Sequence, residues 1–118
     1  MKLKDILGKE GEALVCNYLK NKGYKIIETN YKNIIGEIDI IAKINCIYVF
    51  IEVKTRSSLK FGYPREAIDF RKIQKIKNVA ISYLKYNNLL DKVSIRFDCI
   101  EILGNKLDYT INHLENIF

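Results

Sequence analysis

The chain has 118 residues, of which 48% are hydrophobic and 29% charged, with six Gly and one Pro. That is one domain's length with enough apolar material for a core, and it excludes a disordered or collagen-like polymer. The formal net charge of +6 points to a polyanionic partner, nucleic acid or an anionic membrane surface, unless it belongs to a solvated helix face.

In chain order, residues 5–22 read as a helix, because Leu7, Gly11, Leu14, Val15 and Tyr18 recur at helical spacing and Gly23 supplies a stop. Residues 24–29 form a short strand and 30–36 a turn. Residues 37–43 and 47–55 are β-branched runs joined by Ile44-Asn45-Cys46, which predicts a hairpin. Residues 57–64 are a loop. Asp69 caps a second helix that runs to about Asn87, with Ile73, Ile76, Ala80 and Leu84 in one stripe and Arg71, Lys75, Asn78, Ser82 and Lys85 opposite. Residues 93–103 and 107–113 are two more strands. The order α-β-β-β-α-β-β predicts a single α/β domain over residues 1–118, a central mixed β-sheet flanked by helices.

The charge is localised. Residues 54–77 hold eight basic side chains and two acids, and the remainder of the chain is balanced. The cysteines Cys16, Cys46 and Cys99 are odd in number and widely spaced, and His113 is the one histidine. That is a poor supply of zinc ligands, so buried free thiols in a reducing cytoplasm are expected. The charged N-terminus lacks the apolar run of a secretion signal. The apolar stretch 34–53 is broken by Glu37, Asp39, Lys43 and Glu52, so no membrane association is expected.

Function is sought in residues 48–54, Tyr-Val-Phe-Ile-Glu-Val-Lys. Alternation sends Val49, Ile51 and Val53 to one face and Tyr48, Phe50, Glu52 and Lys54 to the other. Both faces begin apolar, which predicts a central strand covered on both sides with Glu52 and Lys54 sharing a face near its end. In the preceding strand Ile38, Ile40 and Ala42 face one way, and Glu37, Asp39 and Ile41 the other. A hairpin then sets Asp39 beside Glu52. Two neighbouring carboxylates in apolar surroundings raise a pKa or recruit a cation, and Mg²⁺ takes such oxygens while keeping waters and phosphate. The competing expectation is a structural salt-bridge cluster. Glu12 lies on the flank of the first helix's core stripe, Glu10 points to solvent, and Gly11 lets the helix approach the sheet. Spacing alone leaves Glu12 between a helix-surface acid and a third member of the pocket, and favours the former.

These residues resemble the Asp…(Asp/Glu)-x-Lys signature of the restriction-endonuclease-like nucleases, with Ile38 where Pro is usual. Gly8-x-x-Gly11-Glu12, Tyr18-Leu19, Gly23-Tyr24, Asn30, Gly36-Glu37-Ile38-Asp39-x-Ile41, Phe50-Ile51-Glu52-Val53-Lys54-x-Arg56 and Gly62-Tyr63 together resemble the YraN-type family of uncharacterised bacterial proteins. That family is similar to archaeal Holliday-junction resolvases. Val15 replaces the family's usual Ala.

The resemblance implies a restriction-endonuclease-like fold and a Mg²⁺- or Mn²⁺-dependent endonuclease acting on nucleic-acid phosphodiesters, DNA in particular, with selectivity for branched or junction substrates. It implies Glu12, Asp39 and Glu52 as metal ligands, Lys54 as the catalytic lysine and, by analogy with resolvases, a homodimer. In the mechanism that follows, the Val53 carbonyl joins Asp39 and Glu52 on the ion, and Glu12 holds a second ion or an ordered water. Arg56 and Lys72 are the favoured phosphate contacts, ahead of the outward Arg71 and Lys75. Tyr63 is a candidate for base stacking and Phe61 for packing. A non-catalytic nucleic-acid-binding module and a partner protein in a DNA repair or processing complex are the alternatives.

Overall fold

The computed structural model describes Ile6, residues 8–56 and residues 69–117. The loop at 57–64, with Phe61 and Tyr63, and the basic residues Lys60 and Arg65 lie outside the described residues. The elements are α1 (Gly8–Asn21), β1 (Lys25–Lys32), β2 (Glu37–Ile44), β3 (Ile47–Arg56), α2 (Phe70–Tyr86), β4 (Ser94–Gly104) and β5 (Tyr109–Leu114). The sheet order is β1-β2-β3-β4-β5. β3 and β4 run parallel, joined by the crossover containing α2, and the other neighbours are antiparallel. This is the mixed sheet and the element order expected from the sequence.

The two helices sit on opposite faces. Val15 and Leu19 of α1 pack with Ile40, Ala42, Val49, Ile51, Ile100 and Ile102. Ile76, Val79, Ala80, Tyr83 and Leu84 of α2 pack with Ile38, Ile41, Phe50 and Phe97. β3 is therefore central and covered twice, and its alternation holds. Phe50 is wholly buried and makes ring contacts with Phe97 and Tyr83 at 5.5 and 6.0 Å between centroids. Burying one such side chain contributes roughly 1.5–3 kcal/mol. The α2 stripe is wider than its sequence spacing suggested, since Val79 and Tyr83 join it.

Local chemistry sets the boundaries. Gly23 stands at φ 91° and ends α1, with Gly23 N–H donating to Lys20 O and Tyr24 N–H to Leu19 O, a pair of bonds that satisfies the last carbonyls. Asp69 caps α2 by accepting from the Lys72 N–H at 2.9 Å. Asn45 opens the β2–β3 turn at φ 53°, a conformation Asn tolerates.

Several expectations need correction. β1 continues to Lys32, so the turn narrows to Asn33–Gly36, where the Asn33 side chain accepts the Ile35 and Gly36 N–H groups. Ile38 does not share a face with Ile40 and Ala42; it packs under α2. The described β2–β3 ladder stops at Ile40–Ile51, so Ile38 lies beyond it, where β2 is paired with β1 alone. Glu10 does not simply face solvent but meets Lys106 at 2.8 Å. Of the three thiols only Cys99 is buried; Cys16 is half-buried and Cys46 exposed in the turn. Among the described residues no helix is long and apolar enough to cross a membrane.

Candidate active site

The site begins where β2 leaves β3. One step past the last ladder pair in each strand are Asp39 and Glu52. The Val53 N–H, which a continued ladder would consume, donates instead to Asp39 Oδ2 at 2.8 Å. The carboxylate thus inserts at the fork between the strands. Burial, and next the charge of Glu52, push the Asp39 pKa up to about 7; the Val53 bond opposes this, while Glu12 and Glu37 add to it.

Glu52 is 7% exposed. Two ammonium groups share its Oε1, Lys72 at 2.9 Å and Lys54 at 3.4 Å. Burial, and next the proximity of Lys72, pull the Lys54 pKa below the ordinary lysine range. Burial would lower Lys72 too, but its contacts with Lys54 and Glu52 outweigh it and raise the group. The sequence favoured Lys72 as a phosphate contact but did not indicate that it reaches Glu52. Sequence reasoning missed Glu101 altogether. Glu101 is buried, lies beside Lys54 across the parallel β3–β4 pair, and accepts from Asn112 at 3.1 Å. A carboxylate between the apolar Ile100 and Ile102 was the available signal.

Asp39, Glu52, Lys72 and Lys75 open onto a cleft of about 550 Å³ that is also lined by Glu37, Asp69 and Arg71. Arg71 and Lys75 are exposed, as expected, and both line this cleft. Arg56 is exposed at the end of β3. Tyr63 lies outside the described residues.

Glu12 is brought close but not into the cleft. Gly11 is buried, and a methyl group there would stand 2.7 Å from Thr55 Cγ2, so the glycine permits the tight approach of α1 to β3. Glu12 Oε2 accepts from Asn30 Nδ2 at 3.1 Å, and its charge still reaches Asp39.

The donor set fits a hard divalent ion in part. Among the described residues no three Asp, Glu, His or Cys side chains gather as a ready metal cage. Asp39 and Glu52 alone suit an ion that takes one or two carboxylates and completes its shell with water and phosphate. Both are desolvated, they repel one another, and they border open solvent. The space beside Glu52 is held by a cation already, the ammonium of Lys72.

A second buried ionic cluster lies on the other face. Asp98 is fully buried and receives Arg96 Nε and Nη2 at 2.9 and 2.8 Å, the Asn116 N–H at 2.9 Å, and His113 Nε2 at 2.7 Å. Tyr24 and Tyr18 complete it through Arg96 and His113. Burial would raise the Asp98 pKa, yet these partners hold it below the usual carboxylate range.

The model of the family described as "Uncharacterised protein family UPF0102" matches residues 11–102. A UPF0102 protein of Alkaliphilus oremlandii is 49% identical over 113 residues, 95% of this chain and 97% of that one. One from Clostridioides difficile is 50% identical over 111 residues, 94% and 95% of the two chains. One from Caldanaerobacter subterraneus is 46% identical over 118 residues, 98% and 96%.

Proposed function

The chain belongs to the uncharacterised protein family UPF0102, and from that premise we propose that it is a divalent-metal-dependent endonuclease hydrolysing nucleic-acid phosphodiesters, DNA above all. The observation that carries this reading is Asp39. Its carboxylate is buried among further acids, with its pKa up to about 7, at the wall of a cleft whose rim is cationic. A cation and a phosphate together would neutralise both halves of that arrangement.

Asp39 and Glu52 would hold Mg²⁺ or Mn²⁺, with the Val53 carbonyl at the same fork as a third oxygen. Bound there, the ion would supply charge neutralisation at the scissile phosphate and a water of lowered pKa. Lys54, beside Glu52 and pulled down in pKa, is suited to orient the attacking water or to stabilise charge on the phosphate. Glu12, steadied by Asn30, would hold an ordered water or a second ion beside Asp39. Arg56, Arg71, Lys72 and Lys75 would grip backbone phosphates without reading sequence. Tyr63, which follows Arg56 and precedes Arg71 in the sequence, is our candidate for stacking on an unpaired base. Selectivity for branched or junction DNA and a homodimer belong to the same proposal.

The test is cleavage of branched, flapped, duplex and single-stranded substrates with Mg²⁺ or Mn²⁺. Metal-dependent products that vanish with Asp39→Asn support the proposal. No cleavage of any substrate, or undiminished cleavage by Asp39→Asn, refutes it. One observation favours a second reading. Lys72 and Lys54 already neutralise Glu52 without a metal, as they would in a non-catalytic nucleic-acid-binding module. That module predicts binding that weakens steeply with salt and survives EDTA.

A further inference from the structure

Lys72 occupies two positions in the logic of the cleft. It lies in the first turn of α2, three residues from the Asp69 cap, and its backbone N–H is fixed by that cap at 2.9 Å. Its side chain is 39% exposed, yet its ammonium lies 2.9 Å from Oε1 of the buried Glu52. Lys54 is farther from the same oxygen, at 3.4 Å, and less exposed. Of the two cations on Glu52, Lys72 is therefore closer and freer to swing, on a long stem anchored at a rigid helix end. It faces a cleft that Arg71 and Lys75 also line.

Resting on the metal-site reading above, we infer that Lys72 is a built-in counter-ion for Glu52, which a divalent cation displaces and which then turns to the substrate phosphate. A divalent ion on Glu52 Oε1 and an ammonium 2.9 Å from that atom would repel at close range, so the two occupy Glu52 in turn. Without metal, Lys72 adds a second, closer ammonium to that of Lys54 on a carboxylate that is buried beside Asp39. With metal, the freed ammonium can turn into the cleft that it lines. Lys72 is thus a positioning residue. It couples cation loading to phosphate grip and keeps the grip weak until the site is loaded.

The experiment measures Mn²⁺ affinity by electron paramagnetic resonance, with no nucleic acid present and no turnover to read. Lys72→Gln should bind Mn²⁺ about threefold to tenfold more tightly than the natural protein. Lys72→Arg should stay close to it. Lys85→Gln, which removes the same charge from the far end of the same helix, should change nothing. In a companion measurement, Ca²⁺ should strengthen binding of a short labelled DNA duplex to the natural protein, and Lys72→Gln should lose that gain. Should Lys72→Gln fail to fold, the side-chain ¹⁵N resonance of Lys72 in the natural protein should move with Mg²⁺ at the midpoint of metal binding. The inference is overturned if Lys72→Gln binds Mn²⁺ no better than the natural protein, if the duplex gain persists in that variant, or if the Lys72 resonance ignores Mg²⁺. In each of those cases the natural protein still binds metal and the metal-site reading stands. If the natural protein and Lys72→Gln both fail to bind Mn²⁺, the metal-site reading falls and the inference with it.

Discussion

The sheet buries carboxylates on both faces, and the two faces treat them in opposite ways. Under α1, Asp98 is surrounded by Arg96, His113 and the Asn116 N–H and is held below the usual carboxylate range. Under α2, Asp39 accepts the Val53 N–H while Glu52, Glu12 and Glu37 press on it, and it is pushed up to about 7. Burial acts against the charged form in both. The difference lies in what the fold supplied to oppose it. An acid saturated with donors is structural, whereas an acid left among other acids at the mouth of a cleft is what the proposed cation would complete. The salt-bridge cluster expected as the alternative at Asp39, Glu52 and Lys54 is present in part, since Lys54 and Lys72 both pair with Glu52, whereas the Asp98 cluster on the opposite face was not foreseen.

Four changes separate these faces, from the largest expected effect to the smallest. Asp39→Asn or Glu52→Gln should reduce metal-dependent cleavage by about 10²–10⁴-fold, measured as initial rates on the best substrate, while the protein stays folded. Asp98→Ala should do the reverse. It strands Arg96 and His113 in the core and should cost about 3–5 kcal/mol in chemical denaturation, with Mn²⁺ affinity of the surviving folded fraction unchanged.

The third concerns pH. The folded protein holds a proton on Asp39 up to about pH 7, whereas the unfolded chain releases it near pH 4. Between those values the folded state binds more protons, so stability should fall as pH rises, by about 2–4 kcal/mol, and level off above pH 7. Asp39→Asn should flatten the slope, and added Mg²⁺ should restore stability most at pH 8. Asp98 has the opposite sign. Its contribution is present at neutral pH and is lost only in acid, as pH falls through its lowered pKa. Thermal melts across pH distinguish the two. Smallest of the four, Arg71→Gln or Lys75→Gln should weaken duplex binding modestly and reduce the salt slope by about one unit each, whereas Lys25→Gln, at the end of β1 that pairs with Lys43 and away from Glu37, should not.

Much of this was legible in the sequence, for identifiable reasons. The β3 alternation put Glu52 on the correct face because a central strand packed on both sides leaves its register no freedom. Asp69 and Gly23 marked helix ends because capping and positive φ are local chemistry. The rest depends on contacts that local patterns do not encode. The Asp98 cluster joins Tyr18 to His113 across 95 positions and Arg96 to Tyr24 across 72, so no short-range spacing signals it. Ile38 changed face because the ladder ends beside it, which is a property of the pair of strands and not of β2 alone. Lys72 meets Glu52 only once α2 is laid across β3. Glu12 lay on the flank of its helix as its spacing indicated, but its carboxylate went to Asn30, whose φ of 53° no periodicity foretells.

The central claim is that a divalent cation completes the Asp39–Glu52 pair and takes the place that Lys72 holds on Glu52. Anomalous diffraction from crystals soaked in Mn²⁺ near neutral pH tests it most directly. The account predicts a peak bridging Asp39 and Glu52, with the Lys72 ammonium moved away from Glu52 Oε1 and no peak near Asp98. An empty Asp39–Glu52 fork at saturating Mn²⁺, with Lys72 still seated on Glu52, would contradict it.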